Sequence, residues 1–378
     1  MDKIMNPSNV MQNMKGSWGD YRPIPQRFSE AEIAGALDLI RNAKRYPSHV
    51  HEFMLKEAIT TTKFPNLFGA IVDRELLARY KFAKPDWESY VLTGTVSNFN
   101  EHTRDRLLGI VDQLPKVGEK GEYLVSSVAE CQKTRQVFKR GRQFDISWEA
   151  LVNDGMDAFA DIPQRYADAA INTEAQLVTE LYASSGGPDT SLYGDTISDC
   201  GQDLTNEGTL ALTIANLETT LELMAAQEDP NGNPLGIIGV HLVVPPALKF
   251  TARQILESAG KMWTDIGSAV PMPTANVLAG EGINLHVNPW LPIVDTTDAN
   301  TTWYVFADLA QGAAIGFDRL KGHESPEIVM KASNKASVTG APISPFDGDF
   351  ESDNVFYRAR IACGGNRIDP RMTYAQVG

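Results

Sequence analysis

Two periodicities divide the chain. Ile162, Tyr166, Ala169/Ala170, Thr173, Leu177 and Leu181 recur at helical spacing. Asp161 can cap that helix, Pro163 falls in its first turn, and Ser184-Ser185-Gly186-Gly187-Pro188 stops it. A helix over 162–183 is roughly 33 Å long at ~1.5 Å per residue. A second amphipathic register, Leu210, Ile214, Leu217, Leu221 and Met224, ends at Asp229-Pro230-Asn231-Gly232. Near the N-terminus, Ser29 and Glu32 form a capping box and Phe28 can staple onto Ile33, predicting a helix through Leu37 and Ile40. Further helices are expected from Ser48 and over Ala70–Tyr80. Residues 1–28 show no period and read as an extended arm.

From Val91 to Ile146 the pattern changes to alternation, with turn signals at Leu114-Pro115, Gly118 and Gly121. Strand-like ends around a polar middle predict a long projecting hairpin. Its return arm carries Lys133, Arg135, Lys139, Arg140 and Arg142 with no acid between Cys131 and Phe144. That strip is either a solvated face or a contact for an acidic neighbour. Ile237–Val244 reads as a buried strand, and Pro245-Pro246 opens a helix to about Ser258. Strands follow at Asn284–Val287, Trp303–Ala307, Ala313–Phe317, Glu327–Lys331 and Asn354–Ala362. Irregular interleaving of helices and strands gives an α+β class.

Charge sharpens this picture. Residues 1–150 balance at +3 and residues 151–378 at −17, for a total of −14 over 378 residues. So acidic a chain is poorly suited to gripping nucleic acid through its phosphates, and its two halves could attract each other between copies. No apolar run reaches a membrane span, and no secretory signal is visible. Three separated cysteines, Cys131, Cys200 and Cys363, argue against a disulfide framework or a cysteine zinc site and fit a reducing cytoplasm.

Candidate chemistry is sparse. His49 and His51 have no further ligand at metal spacing. The alternating Asp347, Asp349, Glu351 and Asp353 lack the glycine and glutamate of a calcium loop, having Ser352 and Arg358 instead. Gly280-Glu281-Gly282 lacks a third glycine, and Gly260-Lys261 has Ile255 where a phosphate loop needs glycine. No GxSxG elbow occurs, and no Ser/His/Asp set is signalled. The expectation is a protein that is not an enzyme and has no metal or cofactor.

Three collinear blocks carry a resemblance. Val137–Tyr182 (VFKRGRQFDISWEALVNDGMDAFADIPQRYADAAINTEAQLVTELY), Gly239–Leu256 (GVHLVVPPALKFTARQIL), and two segments within Trp303–Pro370, WYVFADLAQGAAIGFDRLKGHESPEIVMKAS and DGDFESDNVFYRARIACGGNRIDP, resemble the major capsid proteins of tailed phages, the HK-ninety-seven-type fold. They look closest to the branch of the Mu-like head subunit and of capsid proteins fused to a prohead protease. The resemblance covers about residues 90–378. It implies an N-terminal arm at 1–92 and an extended loop with its base at 93–146. It also implies a P-domain at 147–205 and 325–362, and an A-domain at 206–324 and 363–378. The long helix 162–183 would be the spine of the P-domain.

The implied function is structural: hexamers and pentamers of an icosahedral shell enclosing double-stranded DNA, in a virion assembled in the host cytoplasm. Partners would be other copies of the chain, with scaffold, portal and decoration proteins, packaged DNA held non-specifically, and no membrane. Contacts between subunits are expected at Lys116 and Lys120 in the hairpin and at the basic strip Lys133, Arg135, Lys139, Arg140 and Arg142. Trp18, Tyr21 and Phe28 of the arm are expected to join them. The short arm lacks coiled-coil heptads, which predicts no cleaved scaffolding segment. Lys116, Lys120 and Asn354 have no glutamate in 355–362 to assist an isopeptide, so covalent crosslinking is not expected. Two alternatives remain open: an encapsulin-type nanocompartment shell, and a cytoplasmic α+β hydrolase.

Overall fold

The computed structural model describes residues 85–108, 129–147, 156–200, 202–229, 232–258, 260–263, 272–331, 333–335 and 348–378, with a few isolated positions besides. The extended arm, the histidine pair and most of the hairpin turn lie outside the described residues, as do the predicted helices before residue 80 apart from Leu77 and Tyr80, which are helical. The elements are of mixed α+β type, in an order without βαβ repetition.

In chain order, β1 (Leu92–Val96), β2 (His102–Leu108), β3 (Ala129–Arg135) and β4 (Phe138–Ile146) precede α1 (Met156–Tyr182). Five short strands follow: β5 (Ala183–Ser184), β6 (Gly187–Pro188), β7 (Ile197–Asp199), β8 (Gln202–Leu204) and β9 (Glu207–Gly208). Next come α2 (Ile214–Ala225), β10 (Gly239–Val244), α3 (Lys249–Glu257), β11 (Gly260–Trp263), β12 (Met272–Ala275) and β13 (Asn284–Val287). The turn α4 (Leu291–Val294) leads to β14 (Trp303–Ala307), β15 (Ile315–Leu320), β16 (Glu327–Met330), β17 (Val355–Arg367) and β18 (Thr373–Gln376).

Most sequence expectations from residue 90 onward match these elements with shifted ends: β15 runs Ile315–Leu320 rather than Ala313–Phe317, and β17 continues to Arg367 rather than ending at Ala362. α1 begins at Met156, so Asp161 and Pro163 lie inside the helix rather than at its start. A proline there forgoes one hydrogen bond that the rest of a 27-residue helix outweighs.

Contacts divide the chain into two compact units. The first contains Lys139–Thr173 and Gly322–Ala362, together with the N-terminal residues. In it β16 runs antiparallel to β17, from Glu327 opposite Arg360 to Met330 opposite Tyr357. Phe144 of β4 stacks between Tyr166 of α1 at 5.0 Å and Tyr357 of β17 at 4.9 Å, which fixes one side of β4 to its unit.

The second unit holds Pro85–Phe138, Glu174–Lys321 and Cys363–Gly378. Its main sheet has the order β13-β10-β14-β18-β9. β10 and β14 are buried along nearly their whole length, as their unbroken apolar sequences require of central strands. α2 lays Leu217 and Met224 on this sheet against Leu242, Val305 and Tyr374, the face predicted from its spacing. Thr213 caps it by accepting from the Asn216 amide at 3.2 Å. Elsewhere in the unit β1 runs parallel to β15, and β15 antiparallel to the end of β17. Gly364 has to be glycine: a Cβ built there would overlap the Gln136 carbonyl oxygen.

Candidate functional site

β2 and β3 pair only with each other among the described strands, with His102 opposite Arg135, Arg104 opposite Lys133 and Arg106 opposite Cys131. Side chains on a strand alternate between faces. One face of this hairpin therefore gathers Arg104, Arg106, Cys131, Lys133 and Arg135, while Gln132 and Thr134 point to solvent.

Three buried aspartates of the same unit meet that face. Arg106 places Nη2 2.5 Å from Asp199 Oδ2 and Nη1 2.7 Å from Asp369 Oδ2. Lys133 Nζ is 2.6 Å from Asp199 Oδ1, and Arg135 Nη1 is 3.3 Å from Asp318 Oδ1. Burial alone would raise the Asp199 carboxyl; Lys133 and Arg106 overcome it and hold the group below the ordinary carboxylate range. Lys133 and Arg135, expected at a contact between subunits, are thus committed within the chain. The acids that receive them lie 66 and 183 residues further on, too far for any local pattern to signal the pairing.

The same face holds a disulfide, Cys131–Cys200, with a Cα–Cα separation of 5.6 Å. Separated cysteines argued against such bonds. However, 69 residues of sequence separation set no distance in space, and two hairpins bring these residues together. Cys131, Asp199 and Cys200 are also the one group among the described residues whose ligand atoms are close enough for a metal. Arg106 and Lys133 already neutralise Asp199, so a further cation would enter against two positive charges.

The other half of the basic strip differs. Lys139, Arg140 and Arg142 on β4 are exposed and have no ion-pair partner among the described residues. Phe138 beside them is 54% exposed. Lys116 is exposed as well, while Lys120, Trp18, Tyr21 and Phe28 lie outside the described residues.

The remaining motifs resolve into structure. Gly280 ends a 3-10 turn before β13, and Gly260-Lys261 begins β11, so neither opens a helix that could cradle phosphate. In the acidic loop, Lys331 Nζ bonds Asp349 at 2.8 Å and holds its carboxyl below the ordinary value, and Lys335 pairs with Asp353. Two buried histidines that reach an exposed aspartate escaped sequence reading because they are far apart in the chain. His241 Nδ1 is 2.9 Å from His286 Nε2, and His286 Nδ1 is 2.9 Å from Asp86 Oδ1. Ser89 Oγ stands 3.5 Å from the same Nε2, but it donates to the Asp86 carbonyl at 2.8 Å. With Nε2 bonded to His241, this set holds no base free to activate the hydroxyl.

Residues 132–376, well over half the chain, match the family described as phage capsid protein. The chain belongs to that family. It is a structural major capsid protein, a component of the virion. Among solved structures, this capsid protein is similar to a chain of Gordonia phage Cozz at 13% identity, covering 76% of this chain and 84% of that one, with a TM-score of 0.46. It is similar to a chain of Microbacterium phage Oxtober96 at 10% identity, with coverage of 78% and 93% and a TM-score of 0.47. A virus-like particle from Pyrococcus furiosus is similar at 14% identity, with coverage of 82% and 99% and a TM-score of 0.42. No curated protein matches. Among the described residues of the capsid protein, no helix is long and apolar enough to cross a membrane.

Proposed function

We propose that this capsid protein assembles with copies of itself into hexamers and pentamers of an icosahedral shell around double-stranded DNA, formed in the host cytoplasm. The observation that carries the reading is the β2–β3 hairpin, a two-stranded sheet with a charged base. An isolated hairpin is marginal in water, so burial of its outer part against another subunit would supply what its own chain does not. Residues 93–146 act as the extended loop, 1–92 as the arm, 147–205 with 325–362 as the P-domain, and 206–324 with 363–378 as the A-domain.

Lys139, Arg140 and Arg142 face acidic surface of a neighbouring copy, with Lys116, Lys120, Trp18, Tyr21 and Phe28 as further contacts. Lys133 and Arg135 support the hairpin from within. A chain of net charge −14 confines DNA inside the shell rather than gripping its sequence. The three sequence blocks favour the Mu-like, protease-fused branch. Catalysis has no part in this reading, and scaffold, portal and decoration proteins are its outside partners.

Electron microscopy of the purified chain with light scattering for mass tests it. Closed shells or capsomer rings are the expected result, and DNA inside native particles separates a phage head from a protein-filled compartment. A monomer or dimer that stays small in high salt and crowding agent overturns it.

A further inference from the structure

Cys131 lies on the face of the β2–β3 hairpin that meets Asp199, and Cys200 lies in the loop directly after Asp199. We propose that this pair is a redox-operated clip: two thiols in the reducing cell, one disulfide in the oxidising surroundings of a released virion, with closure fixing the hairpin base to its own subunit.

The two cysteines have complementary positions. Cys200 is exposed and can meet a small reagent; Cys131 is 2% exposed and cannot. Their Cα–Cα distance of 5.6 Å is what a disulfide spans, so closure needs no rearrangement of either hairpin. Cys200 has φ 55° in the two-residue loop between the paired Asp199 and Gln202. Asparagine, aspartate or glycine usually occupies that left-handed position, where a cysteine carries a conformational cost. The backbone that costs this energy also delivers the sulfur to Cys131. Lys133 and Arg106 are drawn to the same site through Asp199, whose Oδ1 lies 3.7 Å from the Cys200 sulfur. Cys363 is buried in β17 and is not a member of the pair.

Closure follows thiol–disulfide exchange with a low-molecular-weight disulfide as oxidant. The Cys200 thiolate attacks one sulfur of that disulfide, whose S–S bond breaks, and one small thiolate leaves. The Cys131 thiolate then attacks the Cys200 sulfur, the mixed disulfide breaks, and the second small thiolate leaves. The two cysteine protons end on the two released thiols. Two protein thiols are oxidised and one small disulfide is reduced. Cells keep thiols reduced, whereas virion surfaces permit disulfides, so leaving the cell supplies the change in poise. Where closure occurs therefore rests on the virion reading; the clip itself does not.

The test uses the full chain, reduced, freed of reductant and titrated with glutathione/glutathione-disulfide buffers. Alkylation, intact mass and non-reducing peptide maps follow the thiols, and hydrogen exchange follows residues 102–108 and 129–135. The expected results are a Cys131–Cys200 linkage within one chain, slower exchange in both strands on closure, a stable single glutathione adduct on Cys200 in C131S, and reaction slowed about tenfold or more in C200S. Thiols that stay alkylatable at every ratio, a link between chains, or unchanged exchange after closure each overturn the clip. Alkylation at the moment of lysis, compared with released particles, tests the compartment. Intracellular chains already closed overturn the compartment switch. Absence of particles overturns the shell reading and the switch with it, while the titration of the soluble chain still decides the clip.

Discussion

Arg319 holds Glu174 with two nitrogens, Nε 3.2 Å from Oε1 and Nη2 3.0 Å from Oε2. Glu174, on α1, is 1% exposed, and the same guanidinium lies 3.6 Å from Glu88. The Arg319 plane in turn lies 5.1 Å from the Phe317 ring and 5.8 Å from Trp87. Removing one partner of a buried pair costs about 3–5 kcal/mol. R319M is expected to lower chemical-denaturation stability by that order. E174L combined with R319M should recover a substantial part, because neither charge then remains buried. Equal losses in single and double variants would show that packing, and not the ion pair, sets the cost.

Asp199 receives both Arg106 and Lys133, and so links each strand of the hairpin to one carboxylate. D199N keeps the shape and removes the charge. Hydrogen bonds to charged groups contribute about 1.5–3 kcal/mol, and the partial exposure of Arg106 and Lys133 puts this case toward the lower end. The variant is expected to speed hydrogen exchange selectively in residues 102–108 and 129–135, with the β10–β14 strands unchanged. Because Asp199 sits below the ordinary carboxylate value, its contribution persists at neutral and mildly acidic pH. It is lost as pH falls through that lowered value, below the usual 3.8. Uniform acceleration across the unit would mean that the carboxylate supports the whole fold rather than the hairpin.

Local pattern was enough for the body of the protein. The spacing of Leu217, Leu221 and Met224 gave a helix with the correct buried face, and Trp303–Ala307 and Asn284–Val287 coincide with strands. Pro245-Pro246 opened a short turn and a helix, as proline at a helix start does. What could not be read was pairing across distance. Lys133 and Arg135 formed a visible basic strip, but nothing local told them apart from Lys139, Arg140 and Arg142. The distinction lies in Asp199 and Asp318, on β7 and β15. His241 and His286 gave no signal for the same reason, since each sits in an ordinary strand pattern until the parallel β10–β13 register brings them together. Spacing rules address local motifs, whereas the Cys131–Cys200 bond is a contact between two hairpins that no local spacing signals.

Buried His241 gives stability a pH dependence. Burial is the main cause that lowers the His241 pKa and His286 adds to it, while Asp308 and Asp86 oppose in part. A depressed histidine is neutral in the fold and takes up a proton more readily once unfolded. Its contribution is therefore present above the ordinary value of 6.5 and declines as pH falls through it. One such proton changes stability by at most about 1.4 kcal/mol per pH unit. Thermal melts at about pH 7.5 and about pH 5.5 are expected to show a lower midpoint in acid, with a smaller difference in H241Q. A pH response untouched by H241Q would place the titrating group elsewhere.

The exposed part of the basic strip makes the sharpest separation between folding and assembly. Lys139, Arg140 and Arg142 touch no acid among the described residues, whereas Phe144 anchors the same strand through Tyr166 and Tyr357. Surface substitutions away from packed features change stability by about 0.5 kcal/mol or less. K139E/R140E/R142E should therefore melt close to the parent chain. Across an interface, like charges brought together cost several kcal/mol and slow the encounter of subunits. The variant is accordingly expected to stay as free subunits under conditions where the parent forms shells. Screening lengths shrink to about 3 Å at 1 M salt, so added salt should narrow the difference between the two. Light scattering against ionic strength, with electron microscopy of the endpoints, reads this out. Shells of normal size and yield from the triple variant would leave the strip a solvated face.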